Sequence, residues 1–213
     1  MGQGGFSLFC HDRSEKHKMV RRQLCPVYHR KRISMSELQQ QLLQLAQLSE
    51  AQARQRGEQW RTWADLAESS PAQFGEVTDE QVAWWPVAQT APLDFAGIEQ
   101  GLDLPLHPSI KEFYATLWGS DLPVAHPRGP ASLLLLWHSG DFVRLQQNLI
   151  AHVLMKRRLK QRETLFFAVT DEEDTMLSVL NSTGEVYLEH TGQEVKQLLA
   201  PDLLSFLRQL QPA

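Results

Sequence analysis

From Ser36 onward, apolar side chains recur at helical spacing: Leu38, Leu42, Leu45, then Leu48 or Ser49, with Gln, Glu and Arg mostly between them. The spacing predicts an amphipathic helix from Ser36 to about Glu68, N-capped by Ser36 and ended by Ser69-Ser70-Pro71. Gly57 weakens its middle, and Trp60 and Trp63 extend its apolar stripe. Val82 to Val87 reads as a strand closed by Pro86, followed by a loop over 88–97 and a short amphipathic turn over 98–105. Pro108 opens a helix carrying Ile110, Phe113, Tyr114 and Leu117, with Trp118-Gly119 as its end.

Residues 122–130, with Pro123, Pro127, Gly129 and Pro130, read as loop, and Ser132 to Trp137 as a buried strand. Ser139, Gly140 and Asp141 start a helix whose inner face is Phe142, Leu145, Leu149 and Val153. Three strands follow, Thr164 to Thr170, Thr175 to Leu180 and Glu185 to His190, and a last helix spans about Asp202 to Leu210. Hairpin-linked strands with helices around them predict an α+β fold. Its central sheet is mixed, mostly antiparallel, in one compact domain behind an irregular N-terminal arm.

Charge divides the chain. Residues 1–34 hold eight basic and two acidic side chains, a net +6, whereas the remainder holds thirteen basic and twenty-three acidic, a net −10. The expected organisation is therefore a basic arm over 1–34 and a domain over 35–213. Met35 is a second candidate start, with the arm then a start-site artefact, the alternative being a genuine basic extension. An acidic body opposes general binding to a phosphate backbone and suits a basic partner, although acidity also serves solubility. The longest apolar run, Leu133 to Trp137, falls far short of the ~18–20 residues that span a bilayer, which implies a soluble or peripheral protein. Cys10 and Cys25 make neither a disulfide framework nor a metal site, and a reducing cytoplasm suits them.

Catalytic signatures are missing. His107, His126, His138, His152 and His190 fall into no zinc-binding spacing, no Gly-x-Ser-x-Gly occurs, and no glycine loop joins a strand to a helix to cradle phosphate. The expectation is a protein that is not an enzyme and uses no cofactor, no metal, no nucleic acid and no small-molecule substrate.

The run Trp137-His138-Ser139-Gly140-Asp141-Phe142-Val143-Arg144-Leu145-Gln146-Gln147-Asn148-Leu149-Ile150-Ala151-His152 resembles the central motif of the Syd family. Thr164-Leu165-Phe166-Phe167-Ala168, Asn181-Ser182-Thr183-Gly184-Glu185-Val186, Val82-Ala83-Trp84-Trp85-Pro86 and His107 to Tyr114 extend the resemblance over roughly 36–213. The block from Leu104-Pro105 to Trp118-Gly119 also resembles the wider Smi1/Knr4-like superfamily, which includes toxin-immunity proteins. The family resemblance implies an α+β fold, a concave acidic face, and binding to the cytoplasmic loops of SecY at the inner membrane. There the protein would restrain or sequester excess or abnormal translocase. The alternative is an immunity-type protein that binds and blocks a toxin.

Candidate partner-binding residues are Glu112, Asp121, Asp141, Asp171, Glu172, Glu173, Asp174 and Glu185, with Trp84 as an aromatic anchor. The run Asp171 to Asp174 is either a solvated hairpin turn or part of an acidic rim. Trp84, Trp85, Trp118 and Trp137 suit a core. Trp84 and Trp85 are adjacent in a strand and face opposite ways, so one of them could line a groove. Lys156, Arg157, Arg158 and Lys160 end a helix, where cations complement the dipole, and could also touch anionic lipid weakly.

Overall fold

The computed structural model describes residues 35–65 and 67–213, so the expectations for residues 1–34 lie outside the described residues. Residues 35–213 form one unit.

Helix α1 spans Glu37–Gln55. Ser36 and Gln39 make a reciprocal capping box, satisfying two amides that the first turn leaves without partners. Leu38, Leu42, Leu45, Ala46, Ser49 and Ala53 are its buried face, as the spacing predicts for the first half. The helix stops well before Glu68. Gly57 adopts φ +72°, and the amides of Gly57 and Glu58 donate to the carbonyls of Arg54 (3.1 Å) and Ala53 (2.9 Å), a left-handed cap that turns the chain out of the helix. Trp60 and Trp63 therefore do not continue a helical stripe. They flank and end strand β1, Arg61–Trp63.

A small antiparallel sheet follows, ordered β1-β3-β2, with β2 at Gln73–Thr78 and β3 at Gln81–Trp84. Strand β4, Val87–Ala88, pairs with β5, Leu117–Trp118. Helix α2 covers Ala96–Leu102, and α3 covers Pro108–Tyr114 with Pro108 in its first turn. The prediction ran α3 on to Trp118-Gly119. Instead Gln89 intercepts the backbone: its amide donates to the carbonyl of Thr116 (2.9 Å), and its side-chain nitrogen donates to those of Tyr114 (2.8 Å) and Leu117 (2.7 Å). Carbonyls that would orphan a helix end are thus taken by the β4 segment.

The principal sheet has seven strands in the order β11-β10-β9-β8-β7-β6-β12. These are β6 Leu122–His126, β7 Gly129–Leu133, β8 Thr164–Thr170, β9 Thr175–Leu180, β10 Val186–His190, β11 Gln197–Ala200 and β12 Gln211–Pro212. Every ladder in it is antiparallel; among the described residues the one parallel pairing is the isolated bridge Trp118–Leu136. The prolines that marked 122–130 as loop are tolerated in a hairpin. Strand β12 pairs β6 only at Val124 and Ala125, so Pro123 lies on an open edge, and Pro130 precedes the first β7–β8 pair, Ala131–Thr170.

Helix α4, Ser139–Arg158, packs on β8 and buries Phe142, Leu145, Leu149 and Val153 as its spacing predicts, with Phe95 of the α2 segment edge-on to Phe142 at 5.0 Å. Helix α5, Leu203–Leu207, packs on α1, and its Phe206 meets Phe167 of β8 at 5.6 Å. The domain is α+β, and one apolar core runs from α1 and α3 through the sheet to α4. Burying each side chain of the size of Leu42, Ile110 or Leu149 contributes about 1.5–3 kcal/mol. A second cluster holds Ala72, Val82, Trp84 and Trp137 beneath the small sheet.

Candidate binding surface

One cavity crosses the principal sheet. Leu177 of β9 lies directly opposite Leu188 of β10, which lies opposite Gln197 of β11; Ala131 of β7 lies opposite Thr170 of β8. Leu177, Leu188 and Leu199 supply an apolar floor to a space of about 310 Å³. Polar groups stand around it: Asp171 and Glu172 from the β8–β9 turn, Arg128 from the β6–β7 turn, and His126 and His190.

The acidic turn is built locally. The hydroxyl of Thr170 accepts from the Glu172 amide (3.2 Å), and the hydroxyl of Thr175 donates to the Glu172 carbonyl (2.8 Å). Asp174 adopts φ +62°, and its carbonyl accepts from the Thr191 amide (2.9 Å). Threonine hydroxyls thereby hold the backbone and leave the four carboxylates of 171–174 exposed. His126 stacks on Phe206 at 5.0 Å, and burial, helped by Arg128, holds its pKa below the ordinary histidine value. Asp171 and Glu172 stand across this rim from the Arg128 guanidinium.

The other predicted site residues do not converge there. Asp121 and Asp141 line a separate depression of about 400 Å³ between α4 and the segment Leu134–Trp137. Asp121 is exposed, yet the wall around its carboxyl desolvates it enough to push its pKa up. Asp141 is committed internally: it accepts from the Trp137 amide (2.8 Å) and pairs with Arg144. Glu112 lies in a third depression of about 410 Å³, where it accepts from the Ser36 hydroxyl (2.6 Å) that caps α1. Beside it Glu99 pairs with Lys111 at 2.7 Å, which together with the Leu106 amide holds the Glu99 carboxyl below its usual range. Glu185 accepts from the hydroxyls of Thr183 (2.9 Å) and Tyr187 (3.2 Å).

Two expectations need correction. Trp84 is 3% exposed, pointing into the cluster with Trp137, so it is a core side chain and not a surface aromatic. Its neighbour Trp85 faces the other way but is covered by Phe74 and by the guanidinium of Arg54, 4.7 Å above the ring. Lys156 is 0% exposed, so it cannot touch lipid; its ammonium pairs with Glu189 at 2.9 Å and donates to the Gln193 carbonyl at 2.8 Å. Arg157 pairs with Glu163 and donates to the Leu102 carbonyl. Of that basic group, Arg158 and Lys160 remain exposed without an ion pair among the described residues.

Among the described residues, no group of three or more His, Cys, Asp or Glu could hold a metal ion, and no helix is long and apolar enough to cross a membrane. A family model described as Syd protein (SUKH-2) matches residues 38–212. The chain belongs to the Syd family. Its relatives include Protein Syd of Alteromonas mediterranea, 44% identical over 150 residues, which are 70% of this chain and 81% of the relative. Protein Syd of Pseudoalteromonas atlantica is 42% identical over 146 residues, 67% of this chain and 78% of the relative. That of Colwellia psychrerythraea is 42% identical over 155 residues, 72% and 77% of the two chains. The Syd match begins inside α1 and reaches β12, so the small sheet, the principal sheet, the β4–β5 pair and the cavity lie within it.

Sequence reasoning missed the cavity floor and Trp63, which is 66% exposed on β1. Alternation in Gln197–Ala200 was too short to mark β11, and Trp63 looked like one more turn of α1.

Proposed function

We propose that this Syd-family chain is a non-catalytic binding protein that docks peripherally on the cytoplasmic face of the bacterial inner membrane and captures the basic loops of SecY, restraining or sequestering surplus or abnormal translocase. The cavity across the principal sheet carries this reading: an apolar floor beside exposed carboxylates suits a loop presenting Lys or Arg next to an apolar side chain. Loops of a membrane channel on the cytoplasmic side are enriched in Lys and Arg, which supplies the opposite charge. The turn 171–174 is the entry rim, and each exposed carboxylate there contributes about 0–1 kcal/mol, felt mainly in the association rate. Lipid contact is a minor term. With Lys156 buried and Arg157 paired, Arg158 and Lys160 would add about 1 kcal/mol each near an anionic surface, too little to anchor the protein.

The test is association kinetics with purified SecY in nanodiscs. Reversing Asp171, Glu172 and Glu173 to Lys should slow association about tenfold and leave dissociation within about twofold. An unchanged association rate would remove the rim from the mechanism. No binding by the unaltered chain would remove SecY as the partner and leave a toxin-binding role to be tried.

A further inference from the structure

The small sheet has an outer face that the cavity does not involve. Cross-strand partners share a face, and so do residues two apart along a strand. Arg61 and Phe74 both lie opposite Ala83, while Trp63 and Thr78 both lie opposite Gln81. Arg61, Trp63, Phe74, Gln81 and Ala83 therefore point one way, and Val82 and Trp84 point the other way, into the cluster with Trp137. On the outer face Trp63 is 66% exposed and Phe74 38%.

The segment that supplies most of this face is strongly acidic. Between residues 58 and 80 there are six acidic side chains and one basic, Arg61. Arg61 is already used, donating to the Thr78 hydroxyl (2.8 Å) and the Gln81 carbonyl (2.9 Å). Glu58 pairs with Arg56, and Asp65 and Glu68 face His138. Glu76, Asp79 and Glu80 are exposed and in no ion pair among the described residues. Glu80 is tied to the tryptophan strand, since its carbonyl accepts from the Ala64 amide at 2.9 Å. The same face already takes one cation by stacking: the Arg54 guanidinium sits 4.7 Å above Trp85.

We infer that the outer face of the β1-β3-β2 sheet is a second docking surface, and that its occupant is an extended basic segment of a partner protein whose arginine stacks on Trp63 beside Glu76, Asp79 and Glu80. An arginine is favoured over a purely aliphatic side chain because an exposed indole on an acidic segment rewards a weakly hydrated planar cation. Both β1 and β2 are edge strands of their sheet, so an extended segment can also take up backbone hydrogen bonds there. The inference rests on the proposed function only for the partner's charge, not for the surface.

The experiment titrates the full chain with a fluorescein-labelled decapeptide of alternating Arg and Val, at low salt, by fluorescence anisotropy. Trp63→Ala should weaken binding about tenfold, and Trp63→Phe, which keeps an aromatic face, by less than about threefold. Glu76→Gln/Asp79→Asn/Glu80→Gln should weaken it severalfold and flatten its salt dependence. The double variant Asp171→Asn/Glu172→Gln should bind the peptide as the unaltered chain does. Equal affinity for unaltered chain, Trp63→Ala and the triple variant overturns the inference, as does loss of binding only in the cavity variant. Failure to bind SecY with peptide binding at Trp63 intact would sink the proposed function alone. Trp63 is largely in solvent, so its variants should fold, and thermal melts within about 2 °C of the parent check this.

Discussion

Lys156, Glu189, His152 and Thr164 form a polar group inside the α4–sheet interface, where spacing predicted only a helix end with compensating charge. Lys156 and Glu189 are both 0% exposed, His152 lies 2.9 Å from the Thr164 hydroxyl, and the second carboxylate oxygen of Glu189 has no partner among the described residues. Desolvating two charges costs about what their attraction returns, but removing one strands the other. Lys156→Met should therefore destabilise the domain by about 3–5 kcal/mol, read from urea unfolding, while Lys156→Met/Glu189→Leu recovers most of that loss. A double variant no more stable than the single would show that the lysine acts through packing alone. Burial, the largest cause, and Lys156 together hold the His152 pKa below 6.5, against the pull of Glu189. The unfolded chain thus binds a proton near pH 6.5 that the folded one refuses, so stability is full above that pH and falls as pH drops below it. The slope from this one group is at most about 1.4 kcal/mol per pH unit, and His152→Gln should flatten it. A pH profile unchanged by that substitution would assign the slope to His107 and His126, which burial also shifts downward.

Two glycines at positive φ set element boundaries, and they differ in what surrounds them. Gly57, at φ +72°, ends α1, and a Cβ there would meet nothing within 4 Å. Gly184, at φ +82°, turns β9 into β10, and a Cβ there would come within 2.6 Å of the His107 ring. The left-handed conformation alone costs a side chain about 1–2 kcal/mol. Gly57→Ala should thus lower the melting temperature by about 2–8 °C, and Gly184→Ala by clearly more, because the imidazole must also move. Equal losses would mean that His107 swings aside freely. That ring is pinned by the Ser109 hydroxyl (2.8 Å), and its backbone amide donates to Asn181 (2.8 Å), so the β9–β10 turn and the start of α3 brace each other.

Across the whole molecule the charge is asymmetric, +6 over residues 1–34 and −10 over the rest. Among the described residues carboxylates are not gathered in one hollow; they occupy the β8–β9 turn, the small hairpin and two further depressions. Long-range attraction of a basic partner needs only the net field, whereas short-range contact needs a particular carboxylate beside an apolar floor. Raising salt from about 0.05 to about 0.5 M should therefore slow association with a basic partner steeply and change dissociation little. A dissociation rate that rises as much as the association rate falls would place buried ion pairs at the interface.

Period and punctuation in the chain were enough for α4, for the strands β8, β9 and β10 with their turns, for the start of α1, and for the α+β class. Each of these is specified by neighbours in sequence: a stripe at 3.6, alternation at two, a Ser cap, an Asn-Ser-Thr-Gly turn. The Syd motifs were visible for the same reason. What escaped depended on partners far along the chain. Strand β6 exists despite its proline because the neighbouring edge is nearly empty, α3 ends where Gln89 reaches its carbonyls, and Lys156 is buried because Glu189 awaits it across the sheet. Local patterns record which way a side chain points; which of them meet, and which stay in water, depends on how the sheet brings distant segments together.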